Sequence, residues 1–345
     1  MPATPHDPIA VVGPWTATDL LEVTDDTEAL DGSGRWMVTI TFEGRATLAR
    51  FATWDRRSPT ADEVGSWDGP APDAWSSSLD EDAYLAAVEA VRDHISRGEV
   101  YQANICRVLR TPMTAASNIV ALNNRLIAGN PAPHAGALRL PDHGVHVASA
   151  SPELYLRRTG QHVTSRPIKG TGERATDLLT KDEAENVMIV DLVRNDLGRV
   201  CGTGTVSVPG LLEVESHPGL VHLVSTVVGD LRAGTTWPQI LTATFPPGSV
   251  TGAPKLAALD IIRALEAGPR GPYCGAFGWV DADAGTAELA VAIRTFWRED
   301  TDSGPLLAFG TGAGITWDSD AQAEWRETML KAARLLAVAG DREVP

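Results

Sequence analysis

Cysteine is scarce in this chain. Its three cysteines, Cys106, Cys201 and Cys274, are far apart and form no Cys-x-x-Cys pair. The common zinc-binding and dithiol redox patterns are therefore excluded. Scattered thiols in an odd number also suggest a reducing compartment, so we expect a cytoplasmic protein.

Positive charge and long apolar runs are also in short supply. Only 29 Lys and Arg residues face 45 Asp and Glu residues, and the net charge of −16 argues against a nucleic-acid partner, whose binding needs basic patches. The longest apolar runs, such as residues 335–339, are far shorter than a membrane span. Residues 1–7 contain neither a basic region nor an apolar core, so we expect no secretory signal.

The chain does have enough apolar sequence for a large core. With 345 residues, 43% of them hydrophobic, it has room for two domains or for one large one. Residues 1–65 read as short strands, and residues 66–78 have the Gly, Pro and Ser content of a connector. Helical patterns then alternate with strand-like runs, and we interpret residues 221–226 as helical.

Lys169 lies in an unusual local sequence. It follows Pro167-Ile168 and precedes Gly170-Thr171. Proline stiffens the approach and glycine allows close contact with a ligand, so this pattern predicts a lysine that is held in position. In a dry pocket such an amine can act as a nucleophile or a base. The alternative from these residues alone is a solvated loop lysine, because most lysines are exposed.

Two helical patterns carry acidic pairs. Asp182 and Glu185 share a face one turn into a helix marked by a capping box. A second capped helix presents Glu324, Glu327 and Lys331 along one face. Each pattern in isolation also fits a solvated helix face, or acids that the helix dipole favours.

Two glycine-rich stretches and an arginine complete the candidate set. Residues 248–255 can present backbone N–H groups to an anion, but they lack the ending of an ATP-binding phosphate loop. Residues 309–315 lack the third glycine and the helix of a dinucleotide fingerprint, so we do not expect NAD. Arg294, in an expected strand, is either a carboxylate clamp or a salt-bridged strand arginine.

Together, these residues indicate a small polyanion that binds through Mg²⁺. Two facing pairs of carboxylates suit this ion, which commonly uses one or two protein carboxylates with waters and an anionic substrate. The glycine-rich loops and Arg294 would hold further carboxylates of the ligand.

At this point the chain resembles a known family, the chorismate-utilising enzymes. The resemblance covers most of residues 80–340 and rests on many motifs in one order, which is far more specific than any single pattern. The motifs lie at residues 151–153, 167–171, 182–196, 252–255, 292–294, 312–314 and 324–328.

The resemblance implies an α/β fold of the α+β type, in which two antiparallel β-sheets form a sandwich flanked by helices, as in anthranilate synthase. Residues 1–79 would be a strand-rich segment that packs on a chorismate-binding catalytic unit of residues 80–345. The two parts together would form one compact unit.

The resemblance also implies roles for single residues. Glu185 and Glu327 match direct Mg²⁺ ligands, while Asp182 and Glu324 match acids that reach the ion through water. Glu153 matches the general acid that protonates the leaving C4 hydroxyl of chorismate. The positions that match substrate-binding residues are Thr171, His222, Ser249, Tyr273, Arg294, Gly312, Ala313, Gly314 and Lys331.

Two positions discriminate between members of the family. Isochorismate and salicylate synthases are similar in carrying a lysine base where this chain has Gln102, which cannot deprotonate water. Anthranilate synthases carry alanine where this chain has Lys169. A lysine there resembles the aminodeoxychorismate synthases, in which it is thought to attack C2 of chorismate. We therefore expect component I of such a synthase, which makes 4-amino-4-deoxychorismate from chorismate and ammonia.

Two alternatives stay open at this point. One is an anthranilate synthase large subunit, and the other is a catalytically silent chorismate-binding subunit. No glutaminase sequence is visible, so ammonia is expected from a separate glutamine amidotransferase subunit or from solution. The sequence leaves open whether the product feeds folate or a secondary metabolite.

Overall fold

The computed structural model describes residues 4, 6–172, 174–178, 180–217 and 220–340. The helices are α1 (Ala61–Val64), α2 (Glu81–Ser96), α3 (Ile119–Gly129), α4 (Thr180–Gly198), α5 (Trp237–Thr244), α6 (Lys255–Leu265) and α7 (Ala321–Ala339). The strands are β1 (Ile9–Val12), β2 (Trp15–Thr24), β3 (Arg35–Ile40), β4 (Ala46–Asp55), β5 (Ser76–Ser77), β6 (Gln102–Pro112), β7 (His134–Leu140), β8 (Val145–Ser151), β9 (Leu154–Thr159), β10 (His162–Arg166), β11 (Ile168–Gly172), β12 (Ser207–His217), β13 (Leu220–Asp230), β14 (Gly252–Ala253), β15 (Ala276–Asp281), β16 (Thr286–Val291), β17 (Thr295–Thr301) and β18 (Gly304–Ile315).

Antiparallel pairing joins these strands into one continuous network. The order of neighbours is β12, β13, β10, β9, β16, β15, β3, β4, β2, β1, β7, β8, β17, β18 and β6. In addition, β11 pairs with β13, while β5 and β14 pair with β6. The expected α/β class with antiparallel sheets and flanking helices is confirmed. The two expected sheets are connected to each other through hydrogen-bonded strands.

The N-terminal strands are central to this order. β1 pairs with β7, and β3 pairs with β15 along its whole length. Strands from residues 1–79 therefore share hydrogen bonds with strands from the rest of the chain. The division at residue 79 stays a prediction.

Helices pack on the sheet through their apolar faces. Tyr84 and Val88 of α2 are fully buried, and they pack with Ile105 of β6 and Ile315 of β18. A neighbouring apolar cluster joins α3 and the C-terminal half of α7, including Leu335. Apolar side chains of α2, α3 and α7 thus cover the β6–β18 pair, and this pair borders the site described below.

Two sequence-based interpretations of local structure were wrong. Residues 221–226 belong to β13, because this β-branched run is buried in a hairpin with β12 in which Glu215 lies opposite His222. Arg294 is not within a strand. It lies in the break between β16 and β17, where its φ of +53° is incompatible with an extended chain.

A buried ion pair anchors β6 to the chain that follows α6. Arg270 and Glu266 have side chains that are 1% and 6% exposed. Arg270 donates to the carbonyl oxygens of Val250 and Asn104, at 2.8 and 2.9 Å. Glu266 accepts the backbone N–H of Cys106 at 2.8 Å. Removing either charge would therefore leave the other buried without its partner.

In the described residues, none of the helices is long and apolar enough to cross a membrane.

We expect Glu266→Gln to lower the free energy of unfolding by about 3 kcal/mol, because it leaves the buried guanidinium of Arg270 without a counter-charge. Urea unfolding measures this. The matched control is Asp260→Asn, which breaks the Arg263–Asp260 pair on the same stretch of chain, where both side chains are at least 70% exposed. The control should cost less than about 1 kcal/mol. Equal costs for the two variants would contradict the anchoring role of the buried pair.

Candidate active site

Lys169 is held inside the structure on β11. Its side chain is 12% exposed, and Nζ lies 3.8 Å from Oε2 of Glu185 on α4. The pairing of β11 with β13 shifts register between Ile168 and Thr171, so the strand bulges at Lys169 and Gly170. The solvated-loop interpretation of this lysine is therefore wrong.

Gly170 lets β11 approach α4 closely. Its φ is +81°, which favours glycine. A Cβ at this position would lie 2.8 Å from the Cβ of Asp182. The lysine and the first acidic pair are thus brought together by a residue that can be nothing larger than glycine.

Glu153 is buried at the bend between β8 and β9. It is 4% exposed, and the Ser151 hydroxyl accepts its backbone N–H at 3.2 Å. Burial raises the pKa of Glu153 to about 7, although the Ser249 hydroxyl, the positive charge of Lys169 and the backbone N–H of Ile168 all favour the carboxylate. A carboxyl group with this pKa can donate a proton near neutral pH.

The two acidic helix faces come together around the lysines. The positive charges of Lys181 on α4 and Lys169 on β11 both act on Glu327 of α7. Lys181 also acts on Glu324. The start of α4 is therefore close enough to the first half of α7 for charges on the two helices to interact. That the acidic pairs face each other stays a prediction.

The pKa values of the two carboxyl groups of α7 are shifted in opposite directions. Burial and the negative charge of Glu327 raise the pKa of Glu324, which is 5% exposed and accepts the Ser319 hydroxyl at 2.7 Å. Burial also acts to raise the pKa of Glu327. The positive charges of Lys331, whose Nζ lies 2.6 Å from Oε1, and of Lys181 and Lys169 together outweigh this effect, and the pKa is lowered. Glu327 is therefore the more readily ionised of the pair.

The donor set at this place consists of carboxylate oxygens, which suit Mg²⁺. Among the described residues, no three His, Cys, Asp or Glu side chains are close enough together to hold a metal by themselves. Mg²⁺ does not need such a cage, because water and an anionic substrate usually complete its shell. The residues fit a shared protein–substrate ion; the Mg²⁺ site stays a prediction.

Arg294 supplies a cation without a counter-charge. Its carbonyl oxygen accepts the backbone N–H of Ala150 at 3.0 Å, which fixes the backbone before β17. No side chain within the described ranges forms a hydrogen bond or ion pair with its guanidinium. Burial and the nearby charge of Arg334 lower the pKa of Arg294. A partly buried, unpaired guanidinium is suited to bind a carboxylate of a ligand.

The glycine-rich strand β18 offers free backbone groups. β17 pairs with it only as far as Phe309, whereas β6 pairs with it up to Ile315. On the edge away from β6, residues 310–315 therefore have no strand partner in the part of the chain that is described. Lys331 donates to the Gly312 carbonyl oxygen on this stretch at 3.1 Å. The predicted contacts of Gly312, Ala313 and Gly314 with substrate are compatible with this free edge.

Gln102 points into the same site. A Cβ on Gly314 would lie 2.1 Å from Gln102 Nε2, so glycine makes room for this side chain. Nε2 donates to Glu185 Oε2 at 3.4 Å and to Asn104 Oδ1 at 3.5 Å. The side-chain oxygen of Gln102, Oε1, is buried and has no hydrogen-bond partner among the described residues. Such an unsatisfied acceptor can receive an N–H of a ligand.

The remaining predicted site residues differ in their surroundings. Ser249 is 5% exposed and bonds to the Glu153 carboxyl, and His222 is buried on β13 opposite Thr171. The side chain of Thr171 lies outside the described part of the structure. Tyr273 is buried against Gly310 in the main apolar cluster. Whether these four residues contact a ligand stays a prediction.

Sequence reasoning assigned no role to one buried ion pair near the site. Lys255 Nζ lies 2.6 Å from Asp196 Oδ2, with side chains 13% and 8% exposed. Both residues belong to the motifs of the family resemblance, which was the available signal. They are 59 residues apart in the chain, so only the fold shows that they pair.

The raised pKa of Glu153 predicts a pH-dependent cost in stability. The folded protein binds this proton more tightly than the unfolded chain, so stability falls as pH rises from about 4.5 to about 7 and stays lower above that. Glu153→Gln should remove this loss, which is on the order of 3 kcal/mol in the free energy of unfolding. The stability of the variant relative to the wild type should therefore rise between about pH 5 and pH 8. Urea unfolding at both pH values measures the difference. The exposed residue Glu183 gives the control, Glu183→Gln; if all three proteins show parallel pH dependence, Glu153 does not titrate as the structure indicates.

Known proteins match both the sequence and the fold. A profile of the chorismate binding enzyme family matches residues 20–337. Anthranilate synthase component 1 of Streptomyces coelicolor is 40% identical over 274 residues, which cover 76% of this chain and 52% of that protein. Aminodeoxychorismate synthase of Streptomyces pristinaespiralis is 41% identical over 267 residues, 74% of this chain and 36% of that protein. The chain thus spans about half of the first relative and about a third of the second.

A solved structure extends the likeness in fold to nearly the whole chain. Anthranilate synthase component I of Streptococcus pneumoniae superposes with a TM-score of 0.77 at 24% identity, covering 97% of this chain and 93% of that one. The fold, the convergence of the motif residues and the family profile agree. This chain belongs to the chorismate binding enzyme family.

Proposed function

We propose that this protein is component I of an aminodeoxychorismate synthase, which converts chorismate and ammonia to 4-amino-4-deoxychorismate. The observation that carries the proposal is the position of Lys169. Its side chain is 12% exposed and lies beside Glu185, and its positive charge acts on the buried carboxyl group of Glu153. A nucleophile and a proton donor in one dry site are what the substitution needs.

In the first step, Lys169 releases its ammonium proton to solvent, and the nitrogen then forms a bond to C2 of chorismate. The ring double bonds shift and the C4–O bond breaks. Glu153 gives its proton to the departing hydroxyl, which leaves as water. The covalent adduct divides one difficult substitution into two easier ones.

In the second step, ammonia forms a bond to C4. The double bonds shift back, the C2–N bond breaks and Lys169 leaves as the free amine. The new ammonium group loses one proton to become the amine of the product. Gln102, with its unsatisfied carbonyl oxygen, is suited to hold the incoming ammonia by accepting an N–H.

Mg²⁺ would bind to Glu185 and Glu327, with Asp182 and Glu324 reaching it through water. When bound, it supplies positive charge for the ring carboxylate of the substrate. Arg294 would bind a second carboxylate, and the free edge of β18 would present backbone N–H groups. Thr171, His222, Ser249, Tyr273 and Lys331 would complete the substrate pocket.

Ammonia would come from a glutamine amidotransferase partner. The family resemblance supports this, as do relatives that are known as component 1 of anthranilate synthase and of aminodeoxychorismate synthase. A cytoplasmic location is part of the same proposal.

Anthranilate synthase is a second candidate, because several relatives with that name are 38–40% identical to this chain. Product analysis separates the two candidates. The protein is incubated with chorismate, Mg²⁺ and ammonium at high pH, and then with the lyase that releases 4-aminobenzoate. The proposal predicts 4-aminobenzoate; anthranilate would support the second candidate, and no turnover would support a catalytically silent subunit.

Lys169→Ala should lower kcat for 4-amination by at least about a hundredfold, because it removes the nucleophile. The matched variant is Lys169→Arg, which keeps a positive charge beside Glu185 but cannot attack C2. Both variants should be inactive if the lysine forms a covalent bond. Substantial activity in the arginine variant would show that only the charge is needed, and mass spectrometry of the wild type after rapid quenching tests for the adduct directly.

Glu327→Gln should weaken Mg²⁺ binding by about tenfold or more, since it removes a charged oxygen ligand. Calorimetric titration of the protein with MgCl₂ measures binding without relying on turnover. Glu183→Gln, an exposed carboxylate on α4, is the control and should bind Mg²⁺ as the wild type does. An unchanged titration for Glu327→Gln would remove this residue from the metal site.

A further inference from the structure

Lys331 binds the carboxylate that is expected to bind Mg²⁺. It lies one turn after Glu327 on α7, and its Nζ is 2.6 Å from Glu327 Oε1. The same ammonium group donates to the Gly312 carbonyl oxygen at 3.1 Å. Lys331 therefore bridges α7 and the free edge of β18, where the substrate is expected to bind.

The side chain of Lys331 can give up one of these contacts without losing the other. A lysine ammonium group has three N–H donors on a flexible stem. One donor is used at Glu327 and one at Gly312. If the contact with Glu327 opens, Lys331 can stay on the Gly312 carbonyl oxygen and offer its two other donors to a ligand.

Little free energy is needed to open the contact between Lys331 and Glu327. Their side chains are 51% and 42% exposed, and an ion pair this exposed contributes little to stability because water screens it. In the Lys255–Asp196 pair, by contrast, the side chains are only 13% and 8% exposed, so breaking it would leave a buried charge without its partner. Of these two lysines, only Lys331 can exchange its partner readily.

A metal ion at Glu327 would oppose its contact with Lys331. The ion and an ammonium group on one carboxylate are like charges at short range, and they repel each other. Lys181 from α4 and Lys169 from β11 add positive charge around Glu327, while Glu324 adds negative charge on α7. Lys331 is the cation in hydrogen-bond contact with Glu327, so it is the one that has to move.

We propose that Lys331 and Mg²⁺ compete for Glu327, and that the exchange prepares the site for its substrate. Glu327 binds the ion, and Lys331 turns its freed N–H donors to a carboxylate of the substrate at the edge of β18. The exchange involves ionic contacts only, so no proton or covalent bond changes place. The inference rests on the proposed function, in which Glu327 binds Mg²⁺ and Lys331 binds substrate.

The exchange makes the binding of Mg²⁺ and the binding of substrate depend on each other. Metal binding releases the lysine that the substrate needs, and a substrate that holds this lysine removes a competitor of the metal. Such coupling is reciprocal, so each ligand should raise the affinity for the other by the same factor. The part of this factor that belongs to Lys331 is separate from any direct contact between the ion and the substrate.

Calorimetric titration with MgCl₂ tests the competition without turnover. We expect Lys331→Met to bind Mg²⁺ about threefold more tightly than the wild type, because a competing cation is removed from Glu327. Lys331→Arg keeps the cation and should show no such gain. The matched control is Lys181→Met, because the charge of Lys181 acts on Glu327 but no ion pair joins the two in the described part of the chain. Its gain should be less than about twofold. Equal gains in the two methionine variants, or weaker binding in Lys331→Met, would overturn the inference.

The coupling is measured in Lys169→Ala, which is expected to bind chorismate without converting it. Mg²⁺ should raise the affinity of this variant for chorismate. The factor should be about threefold smaller in the double variant Lys169→Ala/Lys331→Met, because the lysine that links the two ligands is missing. A factor that is the same in both proteins would contradict the coupling.

A crystal structure grown with MgCl₂ shows the exchange directly. Lys331 Nζ should be out of contact with Glu327 and still bonded to the Gly312 carbonyl oxygen. A lysine that stays on Glu327 beside a bound ion would overturn the inference, and so would a wild-type protein that binds no Mg²⁺. If the protein makes anthranilate or consumes no chorismate, the proposed function fails, while the titrations still decide whether Lys331 competes with the ion.

Discussion

The candidate site depends on opposite charges that are kept together away from water. Lys169 lies 3.8 Å from Glu185, and Lys255 lies 2.6 Å from Asp196. In a medium of low polarity such groups interact strongly, and an unpaired one is costly. Glu153 is buried and forms no ion pair with any described residue, and its pKa is raised to about 7. Removal from water thus strengthens the attraction between Lys169 and Glu185, and it also raises the pKa of Glu153 so that this group can donate a proton.

The antiparallel sheet makes this arrangement possible by fixing what borders the site. β6 and β18 run side by side, and α2, α3 and α7 cover them with apolar side chains. β11 bulges at Lys169, and Gly170 allows α4 to approach within contact distance of the strand. Strand pairing and helix packing therefore hold the backbone that carries these charges in place.

Local sequence predicted those parts of the site whose geometry is local. The acidic pairs at 182–185 and 324–327 lie on helices that begin at Thr180 and Ala321, close to the expected capping positions. The interpretation of 221–226 as a helix failed because a buried β-branched run fits either structure until its partner strand is known. Arg294 was misplaced in a strand since nothing in its neighbours signals a positive φ.

The sequence by itself determined the family, the expected nucleophile at Lys169 and the candidate ligand residues, because the motifs lie within short segments in a fixed order. Only the tertiary structure decided which of these residues are buried, and which charged side chains lie close to each other. Asp196 and Lys255 are distant in the chain, as are Lys169 and Glu327. Burial and pairing arise when separate strands and helices pack together, and no local pattern contains that information.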